Sequence, residues 1–396
     1  MDVNNLTILA TGTDMVDGLK RFIKSCEIKN LNYKIMGLGE KWLGGDMTKG
    51  PGGGHKINLL ISTLNKMNDN QIVLVSDSYD VIMTSNTNEI LEKYYKFNKP
   101  IVFATESICW PDSEKDIHFP RVKNRSNIFL NSGGFIGTVG SIKYILKNID
   151  NQSDDQRWYI NIFLSDFGKK YISLDYDCQI FQCLNDAEKE LKIIFDKSRV
   201  KNMITNSYPC HIHGNGGPDR KIVLNRLGNY LINNNFQYSK YNINNLIKKN
   251  FHLYINIKKT TNSEIIINVL RMIELNLKKV LKVYPNIKIT IDSENKDTNI
   301  SMRKALEENV DYFWLVDTNY VITHEDTLLN LIFQNKGIIA PLIKKKNDLW
   351  SNFWGDIGVN GWYRDSFDYI DIVNNKKKGC WNVPFISGNI LINKEY

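Results

Sequence analysis

Gln71-Ile72-Val73-Leu74-Val75-Ser76-Asp77-Ser78-Tyr79-Asp80-Val81-Ile82 is the stretch on which the fold turns. Four consecutive apolar residues, Ile72 to Val75, rich in β-branching and bounded by polar sequence, predict a strand buried on both faces. The strand empties into Ser76-Asp77-Ser78-Tyr79-Asp80, so two carboxylates stand just past its C-terminal end. Ligands of open α/β sheets bind at that edge. Two Asp three residues apart on a turn can offer oxygens to a hard divalent cation and through it to a diphosphate. A purely structural role would have Asp77 cap the next turn and Asp80 sit in solvent.

Working outward, strand and helix patterns alternate. Asn5 to Thr11 reads as a strand, Met15 to Lys29 as an amphipathic helix, Tyr33 to Leu38 as a strand, and Gly54 to Met67 as a helix opened by glycines. Beyond Asp80 come a helix from Asn88 to Phe97 and a strand from Ile101 to Thr105. Such alternation predicts a mostly parallel sheet with covering helices. The period is lost from Ser107 to Ser126, an ordered surface loop. Phe129-Leu130-Asn131-Ser132-Gly133-Gly134-Phe135-Ile136-Gly137 then sets a glycine pair inside an apolar run, where the backbone bends or something approaches closely. Asp154 and Asp155 open a helix to about Leu164, a position the helix dipole favours for carboxylates with or without a function.

Near Lys249 the pattern restarts, so domains of residues 1–248 and 249–396 are expected. The second has strands at Leu253 to Ile257, Ile287 to Ile291 and Tyr312 to Val316, with helices at Glu264 to Tyr284 and Met302 to Glu308. It looks like a relative of the first, but its matching turn reads Val316-Asp317-Thr318-Asn319 and lacks the second carboxylate. A degenerate, non-catalytic unit is expected, with Trp350 to Trp354 as packing.

Composition narrows the class. The 396 residues suffice for two or three domains, and no run of about 18 apolar residues predicts a membrane span. Met1 to Ala10 lacks the basic and apolar regions of a secretory signal, so a soluble chain without an export signal is expected. The net charge of +8 comes mainly from scattered Lys, which favours an anionic ligand such as a nucleotide sugar; no nucleic-acid motif accompanies it. Six cysteines show neither C-x-x-C nor zinc spacing, which makes buried thiols the default and Cys178–Cys183 the one candidate bridge.

Two glycine-rich turns add to the Asp77 edge. His211-Ile212-His213-Gly214-Asn215-Gly216-Gly217-Pro218 ends a strand, offering His213 as a third cation ligand and backbone N–H groups to a phosphate. Gly52-Gly53-Gly54-His55-Lys56 opens a helix whose dipole, with Lys56, favours anions. His55 rather than a glycine immediately precedes Lys56, and Ile57 follows it, which disfavours an ATPase loop.

Leu9-Ala10-Thr11, Leu38-Gly39-Glu40 with Trp42 and Gly44-Gly45-Asp46, Gly52 to Lys56, Ser76 to Ile82, Trp110-Pro111-Asp112, Leu130 to Gly137, Asp154-Asp155-Gln156 and His213 to Gly216 occur in order. Ile339-Ala340-Pro341-Leu342, Trp350 to Gly355 and Trp381-Asn382-Val383-Pro384 follow. Together they resemble the multifunctional collagen-modifying enzymes, procollagen-lysine hydroxylases with a hydroxylysyl glycosyltransferase domain. The resemblance implies a manganese-dependent transferase built of two tandem Rossmann-like domains of the GT-A type, the second an accessory domain. Carried over, Asp77, Asp80 and His213 hold the metal; Thr11, Trp42, Lys56, Tyr79, Asn215 and Gly216 contact UDP; Lys221, or Arg220 beside it, meets the phosphates. Trp110, Asn131, Asp154 and Asp155 line the sugar and acceptor pocket; the family's acidic run before Gln is longer than the two Asp here.

The implied reaction moves glucose from UDP-glucose to hydroxylysine, or galactosyl-hydroxylysine, in collagen-like Gly-X-Y chains. A UDP-galactose enzyme and a non-catalytic collagen-binding module are the alternatives. The family's iron- and 2-oxoglutarate-dependent hydroxylase needs His-x-Asp and a later His. His324-Glu325-Asp326 supplies the first part, no His follows, and the register puts His324 in a first helical turn. That hydroxylase, and the homodimer formed through the family's C-terminal part, are expected outside this chain.

Overall fold

The structure, a computed structural model, describes residues 6–46, 50, 52–187, 190–194, 197, 199–233, 250–258, 263–294, 297–358 and 361–394. They divide into two compact units, Met1–Asn235 and Phe236–Tyr396. The boundary expected between residues 248 and 249 lies outside the described residues, as does Asn5 at the start of the first expected strand.

Unit 1 runs β1 (Leu6–Thr11), α1 (Asp17–Ile28), β2 (Tyr33–Met36), α2 (Gly54–Leu64), β3 (Ile72–Ser76), β4 (Val81–Met83), α3 (Thr87–Lys96), β5 (Ile101–Glu106) and β6 (Phe129–Thr138). It continues with α4 (Val139–Ile145), α5 (Asp155–Leu164), α6 (Asp166–Tyr171), β7 (Ile172–Leu174), β8 (Phe181–Cys183), β9 (Leu191–Ile194), β10 (Arg199–Asn202), β11 (His211–His213) and α7 (Pro218–Asn233). The main sheet has the order β2-β1-β3-β6-β5-β7. All its strands are parallel except β6, which runs antiparallel to β3 and β5.

Every residue of β3 is buried. Val73 and Val75 join a core with Ile57, Leu60 and Phe135, while Ile72 and Leu74 join another with Leu19, Phe22 and Ile90. Alternate residues of one strand therefore fill both helical layers, which is why the run is apolar throughout rather than alternating. Each such side chain contributes about 1.5–3 kcal/mol by leaving water.

A second sheet, β4-β11-β8, positions the site. Here β11 pairs antiparallel with β4, setting His213 opposite Val81, the residue after Asp80. The expected loop from Ser107 to Ser126 holds a short 3-10 turn, Ser113–His118. Cys178 and Cys183 are both free thiols, so the candidate bridge is absent.

Unit 2 contains β12 (His252–Lys258), α8 (Ser263–Val283), β13 (Lys288–Asp292), α9 (Thr298–Glu307), β14 (Tyr312–Asp317), α10 (Thr327–Gln334), β15 (Ile338–Ile339), β16 (Asp356–Ile357), β17 (Tyr363–Arg364), α11 (Tyr369–Val373) and β18 (Ile390–Asn393). Its sheet order is β13-β12-β14-β18-β15, with β18 antiparallel to both neighbours. Position for position this is the order of the first five strands of the unit 1 sheet.

His324 precedes α10, and its carbonyl accepts the Thr327 hydroxyl at 2.8 Å instead of lying in the helix. Trp350 is 44% exposed, so the Trp350 to Trp354 stretch is not uniformly packing; Trp354 does pack edge-on against Tyr363. Among the described residues no helix is long and apolar enough to cross a membrane.

Candidate active site

The C-terminal ends of β3 and β11 and the turn into β4 bring Asp77, Asp80 and His213 together, with one ligand atom of each within 4.8 Å of the others. His213 Nε2 lies 3.4 Å from Asp80 Oδ1 and 3.7 Å from Asp77 Oδ2. Two carboxylates and an imidazole suit a divalent cation of borderline hardness. The imidazole is also oriented for it. His213 Nδ1 is 3.2 Å from Asn131 Oδ1, and that oxygen already accepts Gly133 N–H at 3.0 Å, so it must accept from the ring too. Nδ1 therefore carries a proton, so that the neutral ring has its lone pair on Nε2, the nitrogen facing the carboxylates.

Gly133 is required by closeness. Asp77 N–H donates to its carbonyl at 3.0 Å, and a Cβ on Gly133 would stand 2.2 Å from His213 Cε1 and 2.9 Å from Asp77 Oδ2. The antiparallel strand β6 thus runs directly against the cluster. The glycine pair read as a bend or close approach is the latter.

Lys56 comes from the first turn of α2. Gly53, at φ +100°, starts the helix, and Gly54 N–H and Gly52 O bond Ser153 O (2.7 Å) and Asp155 N–H (3.1 Å), stitching the helix start to that of α5. Lys56 Nζ consequently lies 3.0 Å from Asp77 Oδ1 and 2.8 Å from Asp155 Oδ2. Its ammonium has three donors and uses two on these oxygens. Burial works against the charge on Lys56, but Asp155 and Asp77 outweigh it and hold the ammonium well above its ordinary pKa. Burial likewise pushes Asp77 and Asp80 up; Lys56 and His213 on the first, His213 and Lys221 on the second, outweigh it and keep both below the ordinary carboxylate value. For His213, burial is overcome by Asp80 and Asp77, which raise it.

The remaining expected residues fall as follows. Lys221 Nζ reaches Asp80 Oδ2 and, at 2.5 Å, Gly214 O. Asp154 caps α5 through Arg157 N–H at 2.6 Å, and its other oxygen accepts Gly52 N–H at 3.1 Å, so both oxygens are held by backbone. Tyr79, 40% exposed, accepts Thr13 and Asp14 N–H at its phenol oxygen (2.9 and 3.0 Å). The Thr11 carbonyl accepts Ser78 Oγ at 2.5 Å. Trp42 donates to Gly45 O at 2.7 Å and its ring stands 5.3 Å from that of His55. Trp110 is 50% exposed, and its carbonyl accepts Gln156 Nε2 at 2.9 Å. Asn215 is buried, with Gly216 after it at φ +89°.

Sequence reasoning missed Glu106. It is buried at the end of β5 and accepts the side-chain amides of Asn131 (2.9 Å), Gln156 (2.8 Å) and Asn215 (2.9 Å). Burial holds its carboxyl above the ordinary carboxylate range, against the opposing pull of the Asn131 and Gln156 amides. Glu106 thereby orders Asn131 behind His213. A carboxylate closing the apolar run Ile101 to Thr105 at the ligand edge of the sheet was the available signal.

Comparison with known proteins bears on this site. Residues 2–241 match the family described as the PLOD GT domain, and residues 293–396 match the N-terminal domain of glycosyltransferase family 25. Human procollagen-lysine,2-oxoglutarate 5-dioxygenase 2 is 32% identical over 98% of this chain and 58% of its own length. The rat multifunctional procollagen lysine hydroxylase and glycosyltransferase LH3 is 31% identical over 99% of this chain and 59% of its own. The uncharacterized protein R699 of Acanthamoeba polyphaga mimivirus is 34% identical over 99% of this chain and 89% of its own. The chain thus spans under two thirds of the human and rat relatives.

Proposed function

The chain belongs to the PLOD GT domain family and carries its glycosyltransferase domain, and from that premise we propose that it transfers glucose from UDP-glucose to hydroxylysine or galactosyl-hydroxylysine of a collagen-like polypeptide. What supports this most is the convergence of Asp77, Asp80 and His213 with Lys56 at the ligand edge of the sheet. Manganese held by those three residues would supply Lewis-acid stabilisation to the departing diphosphate. Lys56, paired with Asp77 and Asp155, would offer its third N–H to the phosphates, and Lys221 would add a second cation beside Asp80. Thr11, Trp42 and Tyr79 surround the nucleoside, with Asn215 and Gly216 near the phosphates.

Trp110 would offer its exposed side chain to the sugar or acceptor, with Asn131 acting from behind His213. Asp155, attached to Lys56 and facing Asp77, is the carboxylate placed to orient the acceptor hydroxyl; Asp154 shapes the pocket by holding Gly52. Unit 2 is a GT-A-like accessory unit without catalysis. Its β14 ends at Asp317, whose carboxylate turns onto Asn319 N–H at 2.9 Å and faces no second Asp in the turn.

UDP release from UDP-glucose with Mn2+, with and without a hydroxylysine-containing collagen peptide, tests the proposal. Release should rise with peptide and vanish in Asp80→Ala. Release from UDP-galactose alone would replace the donor. No release from either, with peptide binding unaffected by chelation, would make the chain a binding module.

A further inference from the structure

Arg21, in the second turn of α1, hydrogen-bonds the Tyr79 carbonyl rather than Asp77, Asp80 or His213 themselves, although its guanidinium feels the Asp80 charge. One of its nitrogens, Nη2, donates to the Tyr79 carbonyl at 3.2 Å, the peptide that leads into Asp80. The other, Nη1, donates to Asn225 Oδ1 on α7. That helix also carries Lys221, which reaches Asp80, and Gly228, where a Cβ would stand 3.2 Å from both Arg21 Cδ and Ile82 Cδ1. Lys221, Asn225 and Gly228 are spaced i, i+4, i+7, one face of the helix turned to the metal turn, Arg21 and β4. On the other side Gly18 packs so closely that a Cβ would lie 2.1 Å from the Tyr79 carbonyl oxygen.

We propose that Arg21 is a positioning residue: its guanidinium fixes the Tyr79–Asp80 peptide and α7 relative to each other, so that Asp80 and Lys221 are presented as a pair. Two acceptors on separate elements demand a planar fork, which Lys cannot supply. Arg21 Nε is buried with no hydrogen-bond partner, an arrangement that packing alone would not favour over an apolar side chain. The inference rests on the cluster being a cation site and concerns the residue that aligns it.

The test compares the wild-type chain with Arg21→Met, Arg21→Lys and Asn225→Ala. It measures Mn2+ affinity by titration calorimetry without nucleotide, hydrogen exchange of residues 218–233, and the thermal midpoint. Arg21→Met should weaken Mn2+ binding by roughly tenfold, the range for residues that orient metal ligands, and should speed exchange in α7. Asn225→Ala should speed exchange in α7 and leave Mn2+ affinity within about threefold, because the Tyr79 contact survives. Arg21→Lys should keep the fold without restoring α7 protection. Wild-type affinity and exchange in a folded Arg21→Met, or in Arg21→Lys if the Met variant does not fold, would overturn the proposal. A wild type that binds no Mn2+ would instead remove the cation site and this inference with it; a wild type that binds Mn2+ but releases no UDP would sink only the transferase.

Discussion

Gly133 and Glu106 show how much of the site depends on residues outside the Asp77–Asp80–His213 cluster. In Gly133→Ala the new methyl would collide with His213 and Asp77, and only the functional side chains can yield. Mn2+ affinity should therefore fall by at least about tenfold, with secondary structure by circular dichroism intact. Glu106→Gln sets an amide N–H against one of three amide donors, leaving a buried group unpaired at roughly 1–3 kcal/mol. A lower melting temperature together with weaker Mn2+ binding is expected; loss of stability alone would show that the hub does not reach His213. Asp77, Asp80, Lys56 and His213 could be picked from the sequence because each sits beside glycines or at a strand end. Glu106 shares the strand-end signal, but its role as a hub was not readable, because its three partners lie at positions 131, 156 and 215 and only tertiary pairing gathers them.

At the scale of elements, long periodic segments were legible and short ones were not. The strand read at Ile72 to Val75 is β3, and helices read from periodicity match α1, α2 and α3 within a few residues. By contrast β4, β8 and β11 have three residues each, too few to show a period, yet they place His213. The antiparallel direction of β6 was likewise invisible, since direction is fixed by pairing with β3 and β5. Leu74→Ala, in the fully buried middle of β3, should cost about 2–5 kcal/mol in denaturant unfolding. Glu89 on α3 ties the β9–β10 ribbon down through Arg199 at 2.7 Å. Burial works against its charge, but Arg199, Lys93 and Ser85 hold its pKa down to about 2, from 4.5. Glu89 thus binds a proton less readily folded than unfolded, so its stabilisation is complete above pH 4.5 and is lost as pH falls toward 2. Melting temperature against pH should slope less steeply across that window in Glu89→Gln; an unchanged slope would assign the acid sensitivity elsewhere.

Over the whole molecule, the buried clusters divide cleanly. Among the described residues three lie within residues 6–231 and two within residues 251–392. Calorimetry should resolve two unfolding transitions, with Mn2+ and UDP raising only that of unit 1. A single transition shifted by ligand would mean that the two cores unfold together. The matching strand orders of the two units needed coordinates, because β15 and β18 are short and distant in sequence. The β4-β11 pairing carries one more consequence, for the chain as it is made. Asp77 and Asp80 are synthesised early, but their imidazole partner arrives only with residue 213, after most of the unit has left the ribosome. A nascent or truncated chain ending before β11 has two carboxylates and no site. Tight cation uptake would therefore report that the last three-residue strand has found its place, making capture of the ion a checkpoint on completed folding.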